Sequence, residues 1–301
     1  MGWIQLQLST TPDLTEDLEY LLEANHSLAI TLVDAADQPV FEPIRGETPL
    51  WDCIILTALF VAETDPEKLI QQLNKSYLPK KFPPVELKIL EDEDWERAWM
   101  DNLKPLCFGE NLWICPSWAE APKPEAINII LDPGLAFGTG THPTTALCLS
   151  WLGQQNLTKQ VIIDYGCGSG ILGIAALLLG AKQVIAVDND PQALIASRDN
   201  CEKNQIDSTI FHTFLPKSFA EEINLENIKP IDMLLANILA GPLIDLATYF
   251  AALVKPNGGI LLSGVLEEQA ESVKIAYEPW FEFEPITSKG GWVRIPGCRK
   301  A

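Results

Sequence analysis

An acid and three glycines at alternate positions, Asp164, Gly166, Gly168 and Gly170, form the most chemically pointed stretch of the chain. Gly173 adds a second spacing, G-x-G-x-x-G from Gly168, and Asp188 lies twenty residues beyond Gly168. Glycines and acid at those distances match a dinucleotide fingerprint, in which helix-end N–H groups hold a pyrophosphate. The acid directly before the glycines argues otherwise, because a carboxylate repels a pyrophosphate and suits a ligand carrying an ammonium group. S-adenosylmethionine, a phosphate-free zwitterionic nucleoside, needs small residues beside its methionine part and acids for its ammonium and ribose hydroxyls. The stretch therefore favours S-adenosylmethionine over a nicotinamide cofactor. Asp164 and the Gly166–Gly170 loop are expected at the methionine end, and Asp188 at the ribose. Asp190, followed by Pro191, is expected to cap a helix.

Two further constellations accompany the glycine ladder. LDPGLAFGTGTHPTTALCL (131–149) places Gly134, Gly138 and Gly140 in a loop that runs into His142, Pro143, Thr144 and Thr145. Hydroxyls and free N–H groups at that helix start suit a carboxylate. Read alone, the stretch is better taken as an ordinary glycine-threonine turn with His142 on the surface. Asn237 closes the strand MLLAN and precedes Ile238-Leu239-Ala240. Amine-methylating enzymes of this fold often place an Asn or Asp there, followed by Pro-Pro and an aromatic, so that a side-chain oxygen accepts from the substrate amine. Here the Asn is present without the Pro-Pro-aromatic tail, which favours an aliphatic amine over a planar amide or nucleobase. The alternative is that Asn237 caps a helix beginning near Pro242.

The elements that must position these residues are legible in outline. From about residue 160 the chain alternates strand, glycine turn and helix: VIIDYG, GILGIAALLLG, QVIAVD, PQALIASRDNCEKN, STIFHTF and IDMLLAN. A helix from Pro242 to about Val254, GGILLSG, a helix from about Leu266, and FEFEPI with GWVRI follow. Such alternation predicts a parallel sheet covered by helices on both faces, with ligands at the carboxyl ends of its strands. The expected site thus lies in the loops after VIID, QVIAVD and MLLAN. The first ninety residues read β-α-β-β-α-β, a ferredoxin-like α+β order. EDEDWERAWMDNL predicts an acidic helix with Trp95 and Trp99 on one face, and the proline-containing CPSW and APKPE read as a connector. The expected division is 1–90, 91–126 and 127–301.

Composition narrows the class. The 301 residues are 47% hydrophobic and 21% charged, with 21 basic against 41 acidic side chains and a net charge of −20. This is globular composition, with no apolar run of about 18 residues for a membrane span and no basic, apolar signal at the amino terminus. Seven cysteines without CxxC spacing and three scattered histidines are expected to be buried reduced thiols and no metal site, in a cytoplasmic protein. No basic stripe suits nucleic acid. Residues 1–120 alone carry eight basic against twenty-two acidic side chains, which suits a basic partner or, equally on composition alone, simple solubility.

DPGLAFGTGTHPTT, DYGCGSGILGIAAL, DNDPQA, SRDN and LANILAGPL resemble the PrmA family, bacterial methyltransferases acting on large-subunit ribosomal protein L11. WIQL, VFEP, GET, LEDEDWERAWMDN and LWICPSW resemble the same family, so the likeness runs nearly end to end. The resemblance implies a Rossmann-like class I methyltransferase domain with a smaller amino-terminal ferredoxin-like domain that docks the ribosomal protein. It implies a linker helix and a catalytic domain that swings to reach several amines. The implied acceptors are lysine side chains, with the N-terminal amine as a further candidate. Carried over by position, Thr145, Gly166, Asp188 and Asn237 contact S-adenosylmethionine, with Phe137 and His142 as neighbours. Gly168 and Asp164 join that set from the glycine ladder, and Asn237 is the residue expected to act on the amine.

Overall fold

A computed structural model describes residues 2–36, 38, 48–77, 82–90, 104–132, 140–222 and 231–301. Phe137 and the acidic helix expected over 91–103 lie outside the described residues. The chain divides into two compact units, Met1–Asp101 and Asn102–Ala301.

In the first unit the elements are β1 (Trp3–Thr10), α1 (Pro12–Ala24), β2 (Ala29–Asp34), β3 (Ile54–Val61), α2 (Pro66–Ser76) and β4 (Val85–Leu90). The sheet runs β2-β3-β1-β4, and every neighbouring pair is antiparallel. Period-two alternation turns Ile4, Leu6 and Leu8 of β1 and Leu56, Ala58 and Phe60 of β3 to one face. There they pack against Leu18 and Leu22 of α1 and Leu69 and Leu73 of α2. Asp65 caps α2 by accepting from the Glu67 and Lys68 N–H groups, at 3.0 and 3.1 Å, with Pro66 at the first helical position.

The second unit opens with a three-stranded sheet: β5 (Leu106–Phe108) antiparallel to β6 (Leu112–Cys115), and β6 parallel to β7 (Ile127–Ile130). Strands β5 and β6 fall in the stretch expected as a connector. The remaining elements are α3 (Pro143–Leu152), β8 (Val161–Tyr165), α4 (Ile171–Leu178), β9 (Gln183–Val187), α5 (Pro191–Lys203), β10 (Phe211–Phe214), α6 (Pro216–Glu222) and β11 (Ile231–Asn237). They continue with α7 (Ala240–Asp245), α8 (Ala247–Leu253), β12 (Val254–Leu266), α9 (Ala270–Tyr277), β13 (Phe281–Phe283), β14 (Thr287–Lys289) and β15 (Trp292–Arg299). The large sheet runs β10-β9-β8-β11-β12-β15-β13, with β14 also on β15. Neighbours from β10 to β12 are parallel, whereas β15 is antiparallel to β12, β13 and β14. Strand order reverses between β8 and β11, the switch point where such sheets hold ligands.

Both sheet faces are covered, as parallel strands require. Ile162, Met233, Leu235 and Leu261 enter one core, while Ile163, Leu234, Ile260 and Leu262 enter the other. The single helix expected over 242–254 is instead two short ones. α7 starts at Ala240, where Pro242 falls in the first turn and needs no N–H donor, and the break is at Leu246. The cysteines also depart from expectation. Cys115, Cys148, Cys167 and Cys201 are buried, but Cys53, Cys107 and Cys298 are exposed, and all seven are free thiols. Among the described residues no helix is long and apolar enough to cross a membrane, and no cluster of His, Cys, Asp and Glu suits a metal ion.

Candidate active site

The ends of β8, β9 and β11 bring the three expected loops together at the switch point. Gly166, Gly168 and Gly170 all adopt left-handed φ, +76°, +52° and +79°, which L side chains rarely tolerate. Gly170 caps α4 from that conformation. At Gly170 an added Cβ would meet Ser197 Cβ at 2.9 Å, so this turn packs against α5 without room to spare.

Two carboxylates hold the turn. Asp188, just past β9, accepts from the Gly168 N–H at 2.8 Å through one oxygen and from the Asp190 N–H at 3.0 Å through the other. Asp190 caps α5 through the Gln192 N–H at 2.9 Å, as its Asp-Pro sequence predicts. Asp164 lies beneath the turn, 1% exposed, and accepts from the Gly173 N–H at 2.9 Å in the first turn of α4. Burial raises its carboxyl to about 7, the Gly173 N–H opposes the rise, and the nearby Asp188 charge adds to it. The same environment pushes up the neighbouring thiols: Cys148 and Cys201 rise to about 12, chiefly through burial.

This arrangement tests the two ligands that the glycine spacing allows. A pyrophosphate needs loop and helix-end N–H groups, yet those of Gly168 and Gly173 are already taken by carboxylates. The left-handed glycines with acids against them therefore fit a cationic, phosphate-free nucleoside better than a dinucleotide.

Helix α3 supplies the third wall. His142 is its N-cap, with Nδ1 3.4 Å from the Thr144 N–H and 2.8 Å from Thr144 Oγ1. Burial lowers the imidazole below its ordinary range, which favours the neutral ring, and its Nδ1 accepts from the Thr144 N–H. The ring stands edge-on to Trp292 at 4.9 Å and 70°. His142 is thus a half-buried cap rather than a surface residue. Thr145 is 1% exposed, and its Oγ1 accepts from Asn237 Nδ2 at 3.5 Å. Asn237 does not cap a helix: α7 begins three residues on with Leu239 as its cap, without a side-chain bond. The Asn237 Oδ1 is buried and has no partner among the described residues. A buried amide oxygen left unpaired costs about 1–3 kcal/mol, which a ligand donor would relieve.

Thr145, Gly166, Gly168, Asp164, Asp188, Asn237 and His142 are therefore gathered at one end of the sheet. Sequence reasoning missed Trp292, which starts β15 and reaches His142, and Ser263, which pairs with Asn237 in the β11–β12 register. Trp292 follows a Gly-Gly turn that marks a hairpin, but nothing local says which helix that hairpin meets.

Fold and site define an α/β enzyme domain with a left-handed glycine turn at its switch point and a buried amide oxygen on the adjacent strand end. A family model described as ribosomal protein L11 methyltransferase (PrmA) matches residues 2–300. A ribosomal protein L11 methyltransferase of Azotobacter vinelandii is 51% identical over 300 residues, covering all of both chains. One of Pseudomonas aeruginosa is 49% identical over 301 residues, again covering both chains fully. The crystal structure of a ribosomal protein L11 methylase from Lactobacillus delbrueckii subsp. bulgaricus matches with a TM-score of 0.58 at 30% identity, covering 66% of this chain and all of that one. The chain belongs to the ribosomal protein L11 methyltransferase family, and it is an S-adenosylmethionine-dependent methyltransferase.

Proposed function

We propose that this chain methylates amines of ribosomal protein L11, lysine side chains foremost and the N-terminal amine as a further acceptor. The observation that carries the assignment is the buried, unpartnered Asn237 Oδ1 at the end of β11, beside Thr145. A lone acceptor there suits an amine N–H and gives an incoming cation no compensating carboxylate.

S-adenosylmethionine, when bound, supplies a methyl group activated by its sulfonium. Asp188, with lone pairs left beyond its bonds to Gly168 and Asp190, would hold the ribose hydroxyls. The Gly166–Gly170 turn would line the methionine end, and Asp164 would hold that turn from below. Thr145 would support the carboxylate side, with His142 fixing the start of α3.

A free lysine has a pKa near 10.4, so only about one in 10³ to 10⁴ is neutral at pH 7. The pocket must therefore admit the neutral amine, which burial favours. Asn237 Oδ1 would accept a hydrogen bond from an N–H of the neutral amine and aim its lone pair, and no dedicated base is required if the ammonium's extra proton has already left to water. Most of the acceleration then comes from alignment, a gain of up to about 7–11 kcal/mol.

The first unit, with its β-α-β-β-α-β order and β2-β3-β1-β4 sheet, supports the ferredoxin-like reading of residues 1–90. We assign it the docking of the ribosomal protein, on the strength of the acidic excess in this part of the chain. Incubating ribosomal protein L11 with the enzyme and S-adenosylmethionine, followed by mass spectrometry of its peptides, tests the proposal. Methyl increments on lysine peptides are expected, and an unmodified protein with bound S-adenosylmethionine would overturn it.

A further inference from the structure

Ile238 sits between two left-handed glycines contributed by the strands on either side of its own. The parallel registers pair Ala236 with Tyr165 on β8 and Asn237 with Ser263 on β12. One step further along, Gly166 and Gly264 flank the Asn237-Ile238 peptide. Gly264 has φ of +81° and occupies the point where the β12–β15 register slips between Ser263 and Val265. It is the extra residue of a β-bulge, a device that often re-aims a neighbouring strand end.

The two glycines press on different parts of Ile238. A Cβ on Gly264 would overlap the Ile238 carbonyl oxygen and lie 2.8 Å from its carbon and 2.9 Å from its nitrogen, all backbone atoms. A Cβ on Gly166 would overlap only the Ile238 Cγ2, and the next atom, Ile238 Cβ, stands at an ordinary 3.7 Å. The Ile238 side chain packs partly buried onto the core beneath α7 and α8, so it cannot swing freely aside.

We propose that Ile238 is a positioning residue that locks the reach of Asn237: Gly264 fixes its peptide from one side, and its Cγ2 braces the cofactor turn at Gly166 from the other. This inference rests on the reading that Asn237 serves the acceptor amine. It makes the cofactor turn and the amine acceptor one mechanical unit across three adjacent strands.

Steady-state kinetics and calorimetry with S-adenosylmethionine on the full-length protein test it. Gly264→Ala displaces a backbone carbonyl, so kcat should fall about 100-fold, the scale of a displacement of about 1 Å. Affinity for S-adenosylmethionine should change far less. Gly166→Ala should lower that affinity by at least about tenfold through left-handed strain and overlap. Adding Ile238→Ala removes the overlapping Cγ2 and should recover about tenfold of the affinity lost in Gly166→Ala, the usual size of relieved overpacking. The same addition should recover no turnover in Gly264→Ala, where the obstructing atoms are backbone. Ile238→Ala alone should lower kcat more than it weakens affinity, a readout that stands even if Gly264→Ala does not fold. Rescue of both glycine variants, rescue of neither, or wild-type kcat in Ile238→Ala overturns the proposal. Unchanged kcat in Asn237→Ala would instead remove the amine reading, while the affinity rescue at Gly166 would still report the steric link.

Discussion

Asn237 is where the residue scale has most to say, because its buried oxygen has no partner among the described residues. On the proposed role, replacing it with alanine removes the acceptor for the amine and leaves the glycine turn intact. Turnover on ribosomal protein L11 should fall about 100-fold, the usual loss when one transition-state contact is deleted, with S-adenosylmethionine affinity within about threefold of wild type. Asp188→Ala should do the opposite: removing charge-assisted bonds worth about 1.5–3 kcal/mol should weaken S-adenosylmethionine binding at least about tenfold in calorimetry. Asp164 yields a pH prediction. Its folded-state pKa of about 7 lies above the ordinary 3.8, so the folded protein binds its proton more tightly than the unfolded chain. The stabilising contribution is complete below about pH 4 and is lost as pH rises through 7, because ionising this buried group costs free energy. Urea unfolding of the ligand-free protein should show this decline, at most about 4 kcal/mol, and Asp164→Asn should abolish it. The glycine ladder, Asp188 and Asn237 were legible because each sits at a strand end whose periodicity is local. The burial of Asp164, the bulge at Gly264 and the contact of Trp292 with His142 were not, because each depends on a residue remote in sequence.

At the scale of elements, the start of α3 shows how a site is held by helix termini. His142 caps the helix through Nδ1 and packs its ring against Trp292 at the beginning of β15. His142→Ala should therefore cost about 1 kcal/mol for the cap and a further 0.5–1.5 kcal/mol for the ring contact, measured by chemical denaturation. His142→Asn keeps a capping group and should recover the first part only. Elements of this size were the easiest to read. α2 and α5 declare themselves by Asp-Pro starts, β1 by period-two alternation, and β8, β9 and β11 by apolar runs bounded by turns. What escaped were β5 and β6, at three and four residues too short to show a period, and α6, seven residues behind Pro216. The break between α7 and α8 escaped for a different reason. The apolar pattern runs unbroken from Ala240 to Leu253, and only the backbone at Leu246 interrupts it.

At the scale of the whole molecule the governing quantity is charge. A net −20 spread over 301 residues, most of it before residue 120, is more than solubility asks of a domain. Asp13, Glu16, Asp17 and Glu23 stand exposed along α1, and Glu63 and Glu67 are exposed just before and within the first turn of α2. Such a field accelerates encounter with a basic protein and repels a polyanion, consistent with a protein acceptor rather than a nucleic acid. Its contribution is to association rate, and exposed charges lose their reach once the Debye length shrinks below about 10 Å. Raising KCl from about 0.05 to 0.5 M should therefore lower kcat/KM for ribosomal protein L11 by at least about tenfold. The kcat at saturating protein should hold, because the buried contacts around Asn237 are screened much less than the surface. Affinity for S-adenosylmethionine, assigned in the proposal to Asp188 and the glycine turn, should move by less than about threefold over the same range. A flat kcat/KM profile would show that the acidic surface takes no part in docking and would move the recognition of the ribosomal protein to uncharged contacts.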